Sequence, residues 1–66
     1  MNIFINGKQQ TVPDEATVEE VLSLFNIIKE SVVVEHNDVI LQPDSYTGSC
    51  LAEGDRLEFI RFVGGG

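Results

Sequence analysis

The dipeptide Asn6-Gly7 constrains this chain more than any other local feature. It follows a short run, residues 2–5, in which Ile3 and Ile5 share one face and Phe4 takes the other. A two-residue type I′ turn needs positive φ at both central positions, and Asn-Gly is the pair that adopts it at least cost. Lys8 to Val12 is therefore expected to return antiparallel to the first strand, until Pro13-Asp14 breaks it. A hairpin at the start of a short chain must bury its apolar side against something that comes later.

That partner is a helix. Thr17 and Glu20 have the spacing of a capping box, with Ala16 and Val21 at the staple positions. Val18, Val21, Leu22 and Phe25 follow at helical spacing and predict an amphipathic helix over residues 18–28. Glu19 and Glu20 fall in its first turn and Lys29 near its end, as the helix dipole favours. The acidic pairs Asp14-Glu15 and Glu19-Glu20 are read as helix-start chemistry, not as a general acid/base dyad.

Beyond the helix, Ser31 to Glu35 carries the β-branched run Val32-Val33-Val34 and reads as a third strand. His36-Asn37-Asp38 reads as a turn and Val39-Ile40-Leu41 as a short strand. Residues 42–50 are loop-like with room for a helical turn, and Gly54-Asp55 turns the chain into a last strand from Arg56. The intervening helix allows this last strand to lie centrally, parallel to the first. The order predicts an α+β, β-grasp fold: a mixed sheet of four to five strands with one main helix packed on one face. Residues 1–63 form the domain and residues 64–66 a separate glycine tail.

The chain has 66 residues, 42% of them hydrophobic, with eleven Asp and Glu against four Lys and Arg for a formal charge of −7. That balance disfavours nucleic acid and anionic membrane as partners. The single cysteine, Cys50, forms no internal disulfide, and its neighbour Leu51 suggests a small buried hydrophobe. The first residues read as strand and turn rather than leader peptide, and no apolar run reaches membrane-spanning length. The expectation is a cytoplasmic protein, complete as it stands and monomeric when free. His36 has no second ligand at metal spacing and is expected at the surface or in a cap. No phosphate-binding loop, nucleophile elbow or zinc pattern is present, so neither a bound cofactor nor intrinsic enzymatic activity is expected.

What remains is the end of the chain. Half of the six glycines stand together as Gly64-Gly65-Gly66, directly after Leu57 to Val63. Glycine costs more than other residues to order and packs nothing. A terminal run of it instead makes a thin arm ending in a carboxylate with no side chain beside the terminal carbon. Extended, Val63 to Gly66 would span roughly 13 Å. Ordering three glycines costs on the order of 3–6 kcal/mol, so the folded body must supply the docking energy. Parity along the last strand places Leu57 and Phe59 in the core and Ile60 and Phe62 on the opposite, open face, with Phe4 beside them. Phe4, Ile60, Phe62 and Val63 are the candidate partner-binding residues.

The fold order, the start Met1 to Gly7, the stretch Gly54 to Glu58 and the ending Phe62-Val63-Gly64-Gly65-Gly66 together resemble the ThiS family, the ubiquitin-like sulfur carriers of thiamine biosynthesis. The resemblance covers the whole chain. Asp38 departs from it, since that turn often carries Gly in relatives. The resemblance implies that the Gly66 carboxylate is adenylated at the expense of MgATP by a partner adenylyltransferase. A sulfur donor such as a cysteine desulfurase then supplies the sulfur of a thiocarboxylate, which is handed to thiazole synthase. Gly64 and Gly65 would give access. The Gly-Gly ending is shared with the small subunit of molybdopterin synthase and with ubiquitin-like modifiers. A carrier in a molybdopterin or cysteine route, a protein modifier, and a plain interaction module with a glycine remnant therefore stay open.

Overall fold

The computed structural model describes residues 1–61. Strands β1 (Asn2–Ile5) and β2 (Lys8–Thr11) form the first hairpin, and helix α1 (Val18–Leu24) follows. Strands β3 (Val32–His36) and β4 (Val39–Leu41) form a second hairpin, and β5 (Arg56–Arg61) completes one sheet in the order β2-β1-β5-β3-β4. Short 3₁₀ turns occupy Lys29–Ser31 and Pro43–Gly48. The last strand is central, parallel to β1 and antiparallel to β3. This is a ubiquitin-like β-grasp arrangement.

The first turn forms as its residues dictate, with φ of 51° at Asn6 and 82° at Gly7. The second is also a two-residue turn with positive φ, at Asn37 (49°) and Asp38 (72°). His36 is not part of that turn. It ends β3 opposite Val39.

The capping box is complete: the Glu20 amide donates to Thr17 Oγ1 at 3.1 Å, and Glu20 Oε1 accepts from the Thr17 amide at 2.8 Å. The helix is shorter than its apolar spacing suggests, stopping at Leu24 rather than residue 28. Asn26 causes this by adopting φ of 56°. Its amide donates to Ser23 O at 3.1 Å and that of Ile27 to Leu22 O at 2.8 Å, the paired bonds of a Schellman motif. Phe25 therefore caps the helix and is 38% exposed instead of joining the core. Asp14 and Glu15 also lie outside the helix, in a turn closed by the Ala16 amide on Pro13 O, with Glu15 at φ of 63°.

Ile3, Val12, Val18, Val21, Leu22, Val34, Leu57 and Phe59 form the core between sheet and helix, joined by Tyr46 from the 3₁₀ turn. Each fully buried aliphatic such as Ile3 or Leu57 contributes roughly 1.5–3 kcal/mol. Cys50 is exposed, contrary to expectation. It sits in an extended bridge opposite Thr17, where successive side chains face opposite ways, and Leu51 takes the inward position. Among the described residues no helix is long and apolar enough to cross a membrane.

Candidate functional site

The helix covers one face of the sheet and leaves the other open. On β5, Leu57 and Phe59 point into the core while Glu58 and Ile60 are exposed, as the parity of the strand requires. Phe4 is 37% exposed and Ile60 48% exposed, so both candidate partner residues within the described chain lie on the open face.

They do not form one patch. Phe4 is in register with Arg56, at the start of β5, whereas Ile60 is opposite Val33 near its end. Four residues of strand separate the two levels, roughly 13 Å. A residue of the same open face that sequence parity missed is Ile40, 60% exposed on β4, which lies across β3 from β5 at the level of the Glu35–Glu58 pair. Val39, Ile40 and Leu41 are all apolar and show no alternation, so only the register of β3 with β4 assigns Ile40 a face. Phe62, Val63 and the glycines Gly64, Gly65 and Gly66 lie outside the described residues.

β5 is held on both sides as far as Phe59, and on the β3 side to Arg61. Arg61 pairs with Val32 on one edge. On the other, β1 ends at Ile5, and Asn6 continues the ladder with its side chain. The Asn6 amide donates to Leu57 O at 2.9 Å, and Asn6 Oδ1 accepts from the Phe59 amide at 2.8 Å. The strand that leads to the tail is thus a rigid base.

The start of β5 is fixed by a polar cluster. Asp55 Oδ2 accepts from the Ala52 amide at 2.9 Å and lies 2.8 Å from His36 Nε2, while Oδ1 accepts from Asn37 Nδ2 at 3.2 Å. Burial pushes the Asp55 carboxyl up, but the hydrogen bonds from His36, Ala52 and Asn37 and the charge attraction of His36 outweigh it and hold the group below the ordinary carboxylate value. From the end of β3, His36 is therefore tied to the carboxylate that precedes β5. Among the described residues no cluster of three His, Cys, Asp or Glu side chains is arranged to hold a metal ion.

Comparison with known proteins places this geometry. The model of the ThiS family matches residues 3–66. The chain belongs to the ThiS family. The crystal structure of the thiamine biosynthesis protein ThiS from Geobacter metallireducens superimposes with a TM-score of 0.86 at 36% identity, covering 100% of both chains. The sulfur carrier protein ThiS of Bacillus subtilis is 32% identical over 63 residues, covering 94% of this chain and 96% of that protein. The thiazole synthase of Paramagnetospirillum magneticum is 35% identical over 66 residues, the whole of this chain but 20% of that protein. This ThiS-family chain thus spans about a fifth of the length of the first curated relatives it matches.

Proposed function

We propose that this chain is a sulfur carrier of thiamine biosynthesis whose reactive group is the Gly66 carboxylate. The observation that carries the reading is the end-to-end match to the Bacillus subtilis sulfur carrier protein ThiS. The chain supplies a substrate, and partner enzymes supply the catalytic groups. A terminal carboxyl titrates at roughly 3.3–3.7, so Gly66 is an anion at neutral pH. One of its oxygens attacks the α-phosphorus of MgATP within an adenylyltransferase, and pyrophosphate leaves. The outer sulfur of a persulfide on a donor such as a cysteine desulfurase attacks the acyl carbon and AMP leaves, and a thiol then cleaves the acyl disulfide, releasing the thiocarboxylate and forming a disulfide with the donor sulfur. The resulting thiocarboxylate passes its sulfur to thiazole synthase. That partner is favoured by the thiazole synthases that carry a segment similar to this chain within one polypeptide.

The body serves this chemistry by holding the base of the tail. The pairing of β5 with β3 and the Asn6 clamp at Phe59 anchor the strand, and the five residues beyond Arg61 can reach at most about 17 Å from it. Glycine at the terminal position leaves the acyl carbon open to both attacks. The exposure of Ile60 and Ile40 on the open face supports the reading that this face docks against the enzyme that receives the tail.

Intact-mass measurement tests the proposal after incubation with an adenylating enzyme, MgATP and a sulfur donor. The expected product has one sulfur in place of one oxygen, and deletion of Gly66 abolishes it. If neither adenylate nor thiocarboxylate forms with any activating enzyme, the reading is wrong.

A further inference from the structure

The helical side of the molecule carries a second apolar surface, remote from the open face and unused by the sulfur chemistry. Leu24, Phe25 and Ile28 are three of the seven large hydrophobic side chains left exposed among the described residues, at 55%, 38% and 68%. The Schellman motif ends α1 early and turns the chain across the end of the helix, where Leu24 and Ile28 line one groove and Phe25 stays outside its lining. Leu22 and Ile27 form the floor of a groove of about 680 Å³ between them. An apolar depression of this size accommodates several aliphatic side chains.

Its rim is acidic. Glu19, Glu20 and Glu30 line the groove against a single cation, Lys29. The Lys29–Glu19 contact is 3.7 Å between half-exposed groups, a pair that an incoming cation displaces at little cost. No basic side chain lies in the last turn of α1, so the carbonyl end of the helix adds to the negative potential. A second copy of this chain is a poor occupant, since it would set glutamate against glutamate between molecules each of charge −7. A free anion is repelled for the same reason.

We propose that this groove docks a cationic amphipathic helical segment of a partner protein. Leucine-like side chains of the segment fill the floor between Leu24 and Ile28, and its lysine or arginine side chains meet Glu19 and Glu30. This is the helix-in-groove mode, with apolar anchors giving affinity and the charged rim giving selectivity. It makes no use of Gly66 and stands whether or not the tail carries sulfur.

The test uses the full chain labelled with ¹⁵N and two synthetic peptides of about 14 residues, long enough to form a helix when bound. One repeats leucine and lysine at helical spacing, and the other has glutamate in place of each lysine. The lysine peptide is expected to bind saturably, with amide shifts centred on Ser23, Leu24, Ile28 and Glu30. The glutamate peptide is expected not to bind. Ile28 is exposed, so Ile28→Ser should leave the spectrum folded and weaken binding about tenfold. Glu30→Lys should weaken it about fivefold, whereas Glu58→Lys, the same charge change on the opposite face, should leave it within about twofold. Four results would each overturn the proposal: shifts centred on Ile40 and Ile60, equal binding of the glutamate peptide, equal weakening by Glu30→Lys and Glu58→Lys, or no saturation below about 1 mM. A dimer in sedimentation that is broken by Ile28→Ser would replace the partner segment with a second copy.

Discussion

The two hairpin turns of this protein are built alike and secured differently. Each opens with asparagine in the left-handed region, Asn6 at φ of 51° and Asn37 at 49°. Each asparagine also reaches across to β5. Asn6 Oδ1 accepts from the Phe59 amide at 2.8 Å, and Asn37 Oδ1 accepts from the Arg56 amide at 2.8 Å. The first turn completes itself with Gly7, for which a φ of 82° is unstrained, whereas the second must place Asp38 at 72°. Asparagine is therefore more than a turn former here. It pins both neighbours of β5 to the strand that leads toward the chain end.

The largest effect is expected where the pinned group is least accessible to water. Asn6→Ala replaces a residue that tolerates the left-handed region with one that does so less readily, and it leaves the Phe59 amide, beside a buried side chain, without its acceptor. Together these should cost about 2–3 kcal/mol in urea unfolding. Asn37→Ala makes the same two changes, but its β5 partner is exposed and water replaces the lost acceptor, so about 1–2 kcal/mol is expected. Equal losses would mean that the backbone strain, not the clamp, dominates at both sites. Asn6→Gly separates the terms: it keeps the turn and should lose only about 1 kcal/mol. The amide of Phe59 should then exchange faster in deuterium oxide.

The second turn depends on Asp55 as the first does not. Asp55→Asn removes the charge and turns one of the two accepting oxygens into an NH₂ donor, so either the bond from Asn37 or those with His36 and the Ala52 amide are given up, for an expected loss of about 1–2 kcal/mol at neutral pH. The pH dependence gives the sign. Because the folded carboxyl is held below its ordinary value, its contribution is present above that value and disappears as the pH falls through the folded one. The parent should therefore lose stability relative to Asp55→Asn on acidification below about pH 4. A constant difference between the two down to pH 2 would show that the charge is immaterial to this turn.

Local chemistry was legible in the residues, and long-range chemistry was not. The Asn6-Gly7 turn, the Thr17–Glu20 capping box and the alternation along β5 each depend on neighbours within a few positions, and all three formed. So did the central, parallel placement of the last strand, which the hairpin-helix order dictates. The end of α1 was hidden by Phe25, whose spacing is helical, although Asn26 carried the contrary signal of a left-handed cap. Tyr46 was hidden because an aromatic inside a polar loop shows no periodicity, yet it is 1% exposed. Of the candidate site, the shared face of Phe4 and Ile60 could be read from parity. Their separation could not, because it is set by the register of β1 and β3 on β5. The clamps of Asn6 and Asn37 join residues 53 and 19 apart, beyond any local pattern.

The smallest expected effect isolates the one position at which the turns differ in sequence. Asp38→Gly gives the second turn the Asn-Gly pair of the first. It relieves a left-handed aspartate, worth roughly 1 kcal/mol, but gives the unfolded chain more freedom, which returns about half of that on the scale of about 0.4–1 kcal/mol for glycine substitutions. It also removes the Arg56–Asp38 ion pair at 2.8 Å, whose side chains are 58% and 80% exposed and which therefore contributes little. The net expectation is a gain of about 0.5 kcal/mol, read as a higher urea midpoint at unchanged slope. A loss of more than about 1 kcal/mol would show instead that the ion pair stabilises the second turn, contrary to what exposed pairs usually contribute. The two turns, alike in their asparagine clamps, would then differ in kind at the second central residue: one served there by backbone preference, the other by a charge that Gly7 never needed.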